Sequence, residues 1–189
     1  MKLIVGLGNP GPQYAHSRHN VGFQCLNYLA KAKSLAFTGK GGQARLATGR
    51  IGAREVVLAK PQTFMNLSGR SVATLAARYR LSLGDILVVH DDVDLPLGRL
   101  RVRPRGGAGG HRGLESIIQA LGGSQEFGRL RIGIGRPQAT GEEGLRDYVL
   151  SDFAPDEVEV LREVFARAAE AVLCILEDGL ETAMNRYNA

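Results

Sequence analysis

LIVGLGNPG, Leu3 to Gly11, is an apolar run that stops at a carboxamide, Asn9, and its reading decides the fold. Two other stretches behave alike: PQTFMNLSG, Pro61 to Gly69, stops at Asn66, and ILVVHDDVDLP, Ile86 to Pro96, stops at Asp91. Short β-branched runs broken by Gly, Pro, Asn or Asp read as strands. In a sheet protein such stops line one rim, where ligands bind outside the strand ends. Further strand-like runs at Arg45–Thr48, Glu55–Lys60, Arg99–Arg103 and Leu130–Ile134 alternate with segments of helical period. Those segments are marked by Val21, Cys25, Leu26 and Leu29; by Val72, Leu75, Ala76 and Tyr79; by Leu114, Ile117, Ile118 and Leu121; and by a long run from Pro155 to a stop at Gly179. The alternation predicts an α/β fold with a twisted, mixed and largely parallel sheet and helices on both faces. The close runs at 45 and 55 predict one hairpin with Gly49 and Gly52 at its turn, and 189 residues suit a single domain, 1–189.

The opening stretch is also literally GxGxxG, from Gly6 to Gly11, the dinucleotide fingerprint. It fails its context. Pro10 and Pro12 interrupt the turn where a helix should begin, and no Asp or Glu occurs before Glu55 to hold a ribose. Its apolar run is too short for a signal core or a membrane span, so it reads as the first strand of a cytoplasmic protein. Cys25 and Cys174 lie far apart without CxxC spacing and read as buried thiols, with no call for an oxidising compartment.

The net charge of +5 conceals segregation. From Arg99 to Arg136 eight arginines face only Glu115 and Glu126, and the rest of the chain sums to −1, so the basic surplus reads as one region. From Glu142 onward twelve acids outnumber four arginines, which suits a solvated helix face. Arg99, Arg101, Arg103 and Arg105 alternate with Leu100, Val102 and Pro104, which on a strand sends all four guanidinia to one side. Guanidinium forks fit phosphate oxygens, so this is a candidate phosphate track. His19 is the candidate for acid–base chemistry, because imidazole titrates near neutrality and an Asp is available to orient it. His90 and Asp91 are adjacent on a strand and point to opposite faces, so no metal site is expected from them.

VGLGNPG, the Tyr14 to Asn20 segment, TFMNLSG, HDDVDLP, GGAGGHRG and LRIGIG occur in this order, and together they resemble bacterial peptidyl-tRNA hydrolases over essentially the whole chain. The resemblance implies an esterase acting on peptidyl-tRNA, monomeric and without cofactor or membrane partner. It makes His19 the catalytic histidine and Asp91 its partner. It gives Asn66 a place beside the scissile ester, lets Asn9 distinguish N-blocked from free aminoacyl groups, and puts Tyr14 and Phe64 in the same cleft. Arg101, Arg103 and Arg131 fall on the family's clamp for the tRNA 5′ end and acceptor stem. One position departs: Arg112 follows the histidine of GGAGGHRG where the family usually has Asn, and Arg donates but does not accept a hydrogen bond. The four glycines beside it, 106, 107, 109 and 110, suit a lid or a fixed turn. With neither GxSxG nor an activated thiol, direct attack by water on the ester is favoured. A non-catalytic RNA-binding relative is the alternative, and the presence of Asn9, His19, Asn66 and Asp91 speaks for catalysis.

Overall fold

A computed structural model describes residues 1–189. Seven strands form one sheet in the order β2-β3-β4-β1-β5-β7-β6, where β1 is Lys2–Gly6, β2 Gly39–Gly41, β3 Ala44–Ile51, β4 Arg54–Pro61, β5 Ile86–Asp92, β6 Leu100–Arg103 and β7 Gly128–Gly133. The four central strands, β4, β1, β5 and β7, pair in parallel, and the flanking pairs β2·β3, β3·β4 and β6·β7 are antiparallel. The central runs explain why. Leu3, Ile4 and Val5 are all fully buried, as a strand covered on both faces requires. Ile4 faces the helices α1 (Val21–Ala32) and α5 (Pro155–Asp178), whereas Leu3 and Val5 face α2 (Ser68–Arg78) and α3 (Arg112–Ala120).

The sequence expectations for β1, β3, β4, β5 and β7 fall within two or three residues of the observed strands. The hairpin is β3–β4, with its turn at Gly52 while Gly49 lies inside β3. Arg99 stays outside β6, which begins at Leu100. Three elements escape the periodicity reading: β2, whose Gly-Lys-Gly has no apolar residue; α4 (Gly141–Leu150), which buries no side chain; and α6 (Leu180–Tyr187), which follows the Gly179 stop directly.

Two features position the site. A Cβ on Gly6 would sit 2.5 Å from the Gly22 carbonyl oxygen, and one on Gly22 would sit 2.6 Å from the Leu7 nitrogen. Helix α1 therefore crosses β1 backbone against backbone, which brings the residues just before it, His19 and Asn20, to the carboxyl end of the sheet. At the far edge, the Asn188 carboxamide accepts from the Val102 N–H at 2.7 Å and donates to the Val102 carbonyl at 3.0 Å, pairing the outward groups of edge strand β6.

Candidate active site

Side-chain amides stitch the carboxyl rim together. The Asn9 N–H donates to Asn20 Oδ1 at 2.8 Å, and Asn20 Nδ2 donates back to the Asn9 carbonyl at 2.9 Å. Asn9 Oδ1 then accepts from the Met65 N–H at 2.8 Å, tying the end of β1 to the segment that follows β4. His19 lies in the one-turn 3-10 helix Arg18–Asn20, and its neighbour Arg18 anchors that turn. The Arg18 N–H donates to the Ser151 carbonyl, its Nη1 reaches Glu157 Oε2 at 2.8 Å, and its guanidinium stacks 4.4 Å from the centre of the Tyr148 ring.

Asp91, at the end of β5 and 3% exposed, accepts from His19 Nδ1 on Oδ2 and from His111 Nε2 on Oδ1, each at 2.8 Å. The tautomers follow. His111 caps α3: its Nδ1 accepts from the N–H groups of Gly113 and Leu114, so the ring proton sits on Nε2 and points at Asp91. His19 gives its Nδ1 proton to the same carboxylate, which leaves its Nε2 lone pair free. Burial opposes a charged His19, but the charge of Asp91 and the hydrogen bond outweigh it, so the pKa is raised. Burial works against the Asp91 carboxylate too, and the two imidazoles overcome it, holding its pKa well below the usual range. His90 differs: burial, then the nearby His111, pushes its pKa down to about 3, and its Nδ1 is bonded to the Asp91 carbonyl.

His19, Asp91 and His111 offer ligand-type atoms within 4.8 Å of one another. Those atoms are already engaged with each other. An ion there would have to displace the proton on His111 Nε2, whose partner nitrogen is occupied by the helix cap. The donor set fits a hydrogen-bonded relay better than a metal centre.

The three residues open onto a cleft of about 920 Å³ that also includes Asn9, Phe64, Met65, Asn66, Arg112, the glycines 106, 107, 109 and 110, and, on its outer wall, Leu145, Arg146 and Val149 of α4. Asn9 Nδ2 and the Asn66 carboxamide have no partner in the protein, and Phe64 is 59% exposed on the rim. Tyr14 does not join the lining. After Asn9 the chain turns away at Gly11, and Tyr14 closes a separate turn over Pro12–Tyr14. Arg112 is exposed at the first residue of α3.

The arginine track is rearranged. Arg101 stands directly opposite Arg131, and Arg103 opposite Arg129, so the four guanidinia on one face come from two strands rather than from 99 to 105. Arg103, Arg129 and Arg131 line the cleft. Like charges in direct register repel, and the structure offsets part of this. Arg131 Nε bonds Asp92 Oδ2 at 2.5 Å, and Arg129 donates to the carbonyls of Gln125, Phe127 and Gly106. Arg105, beyond the end of β6, pairs with Glu126 at 3.5 Å and also lines the cleft, whereas Arg101 does not. Asp92, read as a turn residue, does accept from the Asp94 N–H, and adds the ion pair with Arg131. Sequence reasoning passed over His111 and Arg129. A histidine followed closely by the first apolar residue of a helix was the available signal for the former; the burial of Arg129 had none.

No serine, threonine or cysteine lines the cleft, and the molecule is an α/β protein with a carboxylate-bonded histidine at the sheet's carboxyl rim. The chain belongs to the peptidyl-tRNA hydrolase family, whose family model matches residues 3–189. It is 53% identical over 190 residues to a peptidyl-tRNA hydrolase of Dehalococcoides mccartyi, covering 100% of both chains. It is 50% identical over 189 residues to one from Chloroflexus aurantiacus, covering 100% of this chain and 99% of the relative. The crystal structure of peptidyl-tRNA hydrolase from Acinetobacter baumannii superposes with a TM-score of 0.93 at 35% identity, covering 100% of this chain and 95% of that one. No helix is long and apolar enough to cross a membrane.

Proposed function

We propose that the chain cleaves the ester joining the peptide to the 3′ ribose of tRNA in N-blocked peptidyl-tRNA, with His19 as general base and Asp91 as the group that orients it. The observation that carries this is the 2.8 Å bond from His19 Nδ1 to Asp91 in a cleft lined by no serine, threonine or cysteine. His19 Nε2 takes a proton from water, the resulting hydroxide adds to the ester carbonyl, and the imidazolium returns the proton to the departing ribose oxygen. The products are a free tRNA hydroxyl and a peptide carboxylic acid, which ionises by releasing its proton to water. Asp91 stabilises the imidazolium without leaving its own ionised state, and His111 fixes the other carboxylate oxygen so that the pair cannot swing.

The unpartnered amide hydrogens of Asn9 and Asn66 suit the polar groups of the substrate. An amide that must pair with a peptide carbonyl rejects a free aminoacyl group, because binding it would leave a buried polar atom without a partner. Phe64 offers apolar surface for the acyl chain, and Tyr14, outside the cleft, is not needed. Arg101, Arg103 and Arg131 are the phosphate ligands of this reading, with Arg131 held in place by Asp92. Arg112 donates only, which suits phosphate or the terminal adenosine rather than the attacking water. The test is release of labelled N-acetylaminoacyl groups from tRNA by the purified protein in chelator. Steady release is expected; no release, or a loss restored by a divalent ion, would overturn the reading.

A further inference from the structure

The basic surplus is not confined to Arg99–Arg136: the segment from Met1 to Gly84 holds twelve Lys and Arg against a single acid, Glu55, an excess larger than that of the arginine-rich region and hidden in the total by the aspartates 85, 91, 92 and 94 and the acidic C-terminal helices. Among those twelve, only Lys2 and Arg18 reach a carboxylate, on Asp85 and Glu157. Strand register arranges three of the others. Lys40 of β2 stands opposite Arg45 of β3, and Arg45 stands opposite Lys60 of β4. Directly paired residues share a face at intervals of roughly 5 Å, so the three cations form one row across three strands. Two residues back on the same face, Ala47 and Leu58 belong to the core. The row is therefore not required for burial, and like charges facing each other across strands weaken a sheet.

Its place gives it a use. Lys60 lies at the carboxyl end of β4, and the chain continues from it to Phe64, Met65 and Asn66 on the cleft wall. The Lys60 ammonium is oriented by Asn27 Oδ1 at 2.6 Å and lies 4.2 Å from the centre of the Phe37 ring. Burial, and then the charge of Arg45, lowers its pKa, as expected of a cation lacking a counter-ion. From this rim the row runs outward to the β2 edge on the face that carries α1 and α5, while the arginines of β6 and β7 occupy the opposite edge and the opposite face, since Leu100, Val102, Leu130 and Ile132, which alternate with them, belong to the α1/α5 core. Across β4, β1, β5 and β7 the strands that carry the two sets are three spacings apart at their nearest, about 14 Å, and because the side chains leave opposite faces the cations themselves lie farther apart than that. A folded RNA spans such a gap; a nucleoside ester does not.

We propose that Lys40, Arg45 and Lys60 form a second phosphodiester-binding row, which holds the backbone of the same tRNA substrate where it passes over the carboxyl rim onto the sheet face opposite the arginines. This rests on the assignment of peptidyl-tRNA as substrate. Affinity for N-acetylaminoacyl-tRNA is measured against salt for Lys40→Gln, Arg45→Gln and the double variant, with Arg101→Gln as the reference. Each row substitution should lower the magnitude of the salt slope by about one unit. Turnover of an N-blocked amino acid esterified to adenosine should not change, and the melting temperature should not fall, because a repulsion has been removed. A slope unmoved by the row variants but lowered by Arg101→Gln overturns the row and leaves the substrate assignment standing; a slope that no variant moves, with no label released from tRNA, removes that assignment itself. Loss on the adenosine ester would make the row structural. An intact tRNA slope with lost retention on phosphatidylserine vesicles would assign the row to a membrane surface and equally overturn it.

Discussion

Asp91 binds one imidazole on each carboxylate oxygen, and the two rings are held in opposite tautomers: His111 with its proton on Nε2, His19 with its proton on Nδ1. Only His19 is left with a lone pair for chemistry. Because Asp91 raises its pKa against the effect of burial, the base form accumulates above the ordinary imidazole value. The rise of kcat/KM with pH is accordingly expected on a limb centred above about 6.5. Asp91→Asn removes the charge and leaves the burial, so the limb should move to lower pH while the rate falls. His19→Ala should lower turnover at least about a hundredfold with tRNA binding retained. A limb that does not move in Asp91→Asn, or near-normal turnover without His19, would be fatal to the mechanism. Asn9 and Asp91 were legible because polar groups ending apolar runs face the rim, whereas Asn66, read as a strand stop, lies beyond the end of β4 at Pro61, in the one-turn 3-10 helix Met65–Leu67. His111 was not, since its partner lies twenty residues away and meets it only when the glycine loop wraps over β5. Tyr14 shows the converse: a position beside the site in sequence is carried out of it by one turn.

Helices α2 and α3 carry the two walls of the cleft, Met65 and Asn66 just before the first, His111 and Arg112 at the start of the second. Their contact is made by Gly69, whose N–H donates to Ser116 Oγ at 2.8 Å and where a Cβ would lie 2.0 Å from the Ser116 carbonyl oxygen. Backbone cannot retreat as a side chain tip can. Gly69→Ala should therefore force the helices apart at a cost of about 1–3 kcal/mol, read as a lower urea midpoint at unchanged slope. An unchanged midpoint would mean that the helices separate freely. At this scale the sequence was readable wherever an element buries a stripe, as α1, α2, α3 and α5 do. Helix α4 buries none, and its existence depends on neighbours such as Arg18 and on the Tyr148 hydroxyl, bonded to the Ile134 carbonyl at 2.5 Å.

Over the whole molecule, charge is distributed by strand register. The arginine alternation was visible in the sequence, but the partner strand that doubles it was not, because the pairing of Arg101 with Arg131 spans residues far apart in the chain. Replacing Arg101, Arg103 or Arg131 with Ala should weaken binding and kcat/KM on full tRNA and reduce the salt slope by roughly one unit for each lost phosphate contact. The adenosine ester should be indifferent to all three. Equal losses on both substrates would return these arginines to a role in folding. Strand β6, which carries two of them, is also the sheet's outermost strand, and Asn188 occupies its open backbone groups at Val102. That single carboxamide stands in for one residue of a neighbouring strand. Without it, the unpaired N–H and carbonyl would offer a template on which a second chain could add, and the surface so recruited would be the arginine-bearing one. The carboxamide that follows α6 thus already holds the place that a second chain's backbone would take at this edge.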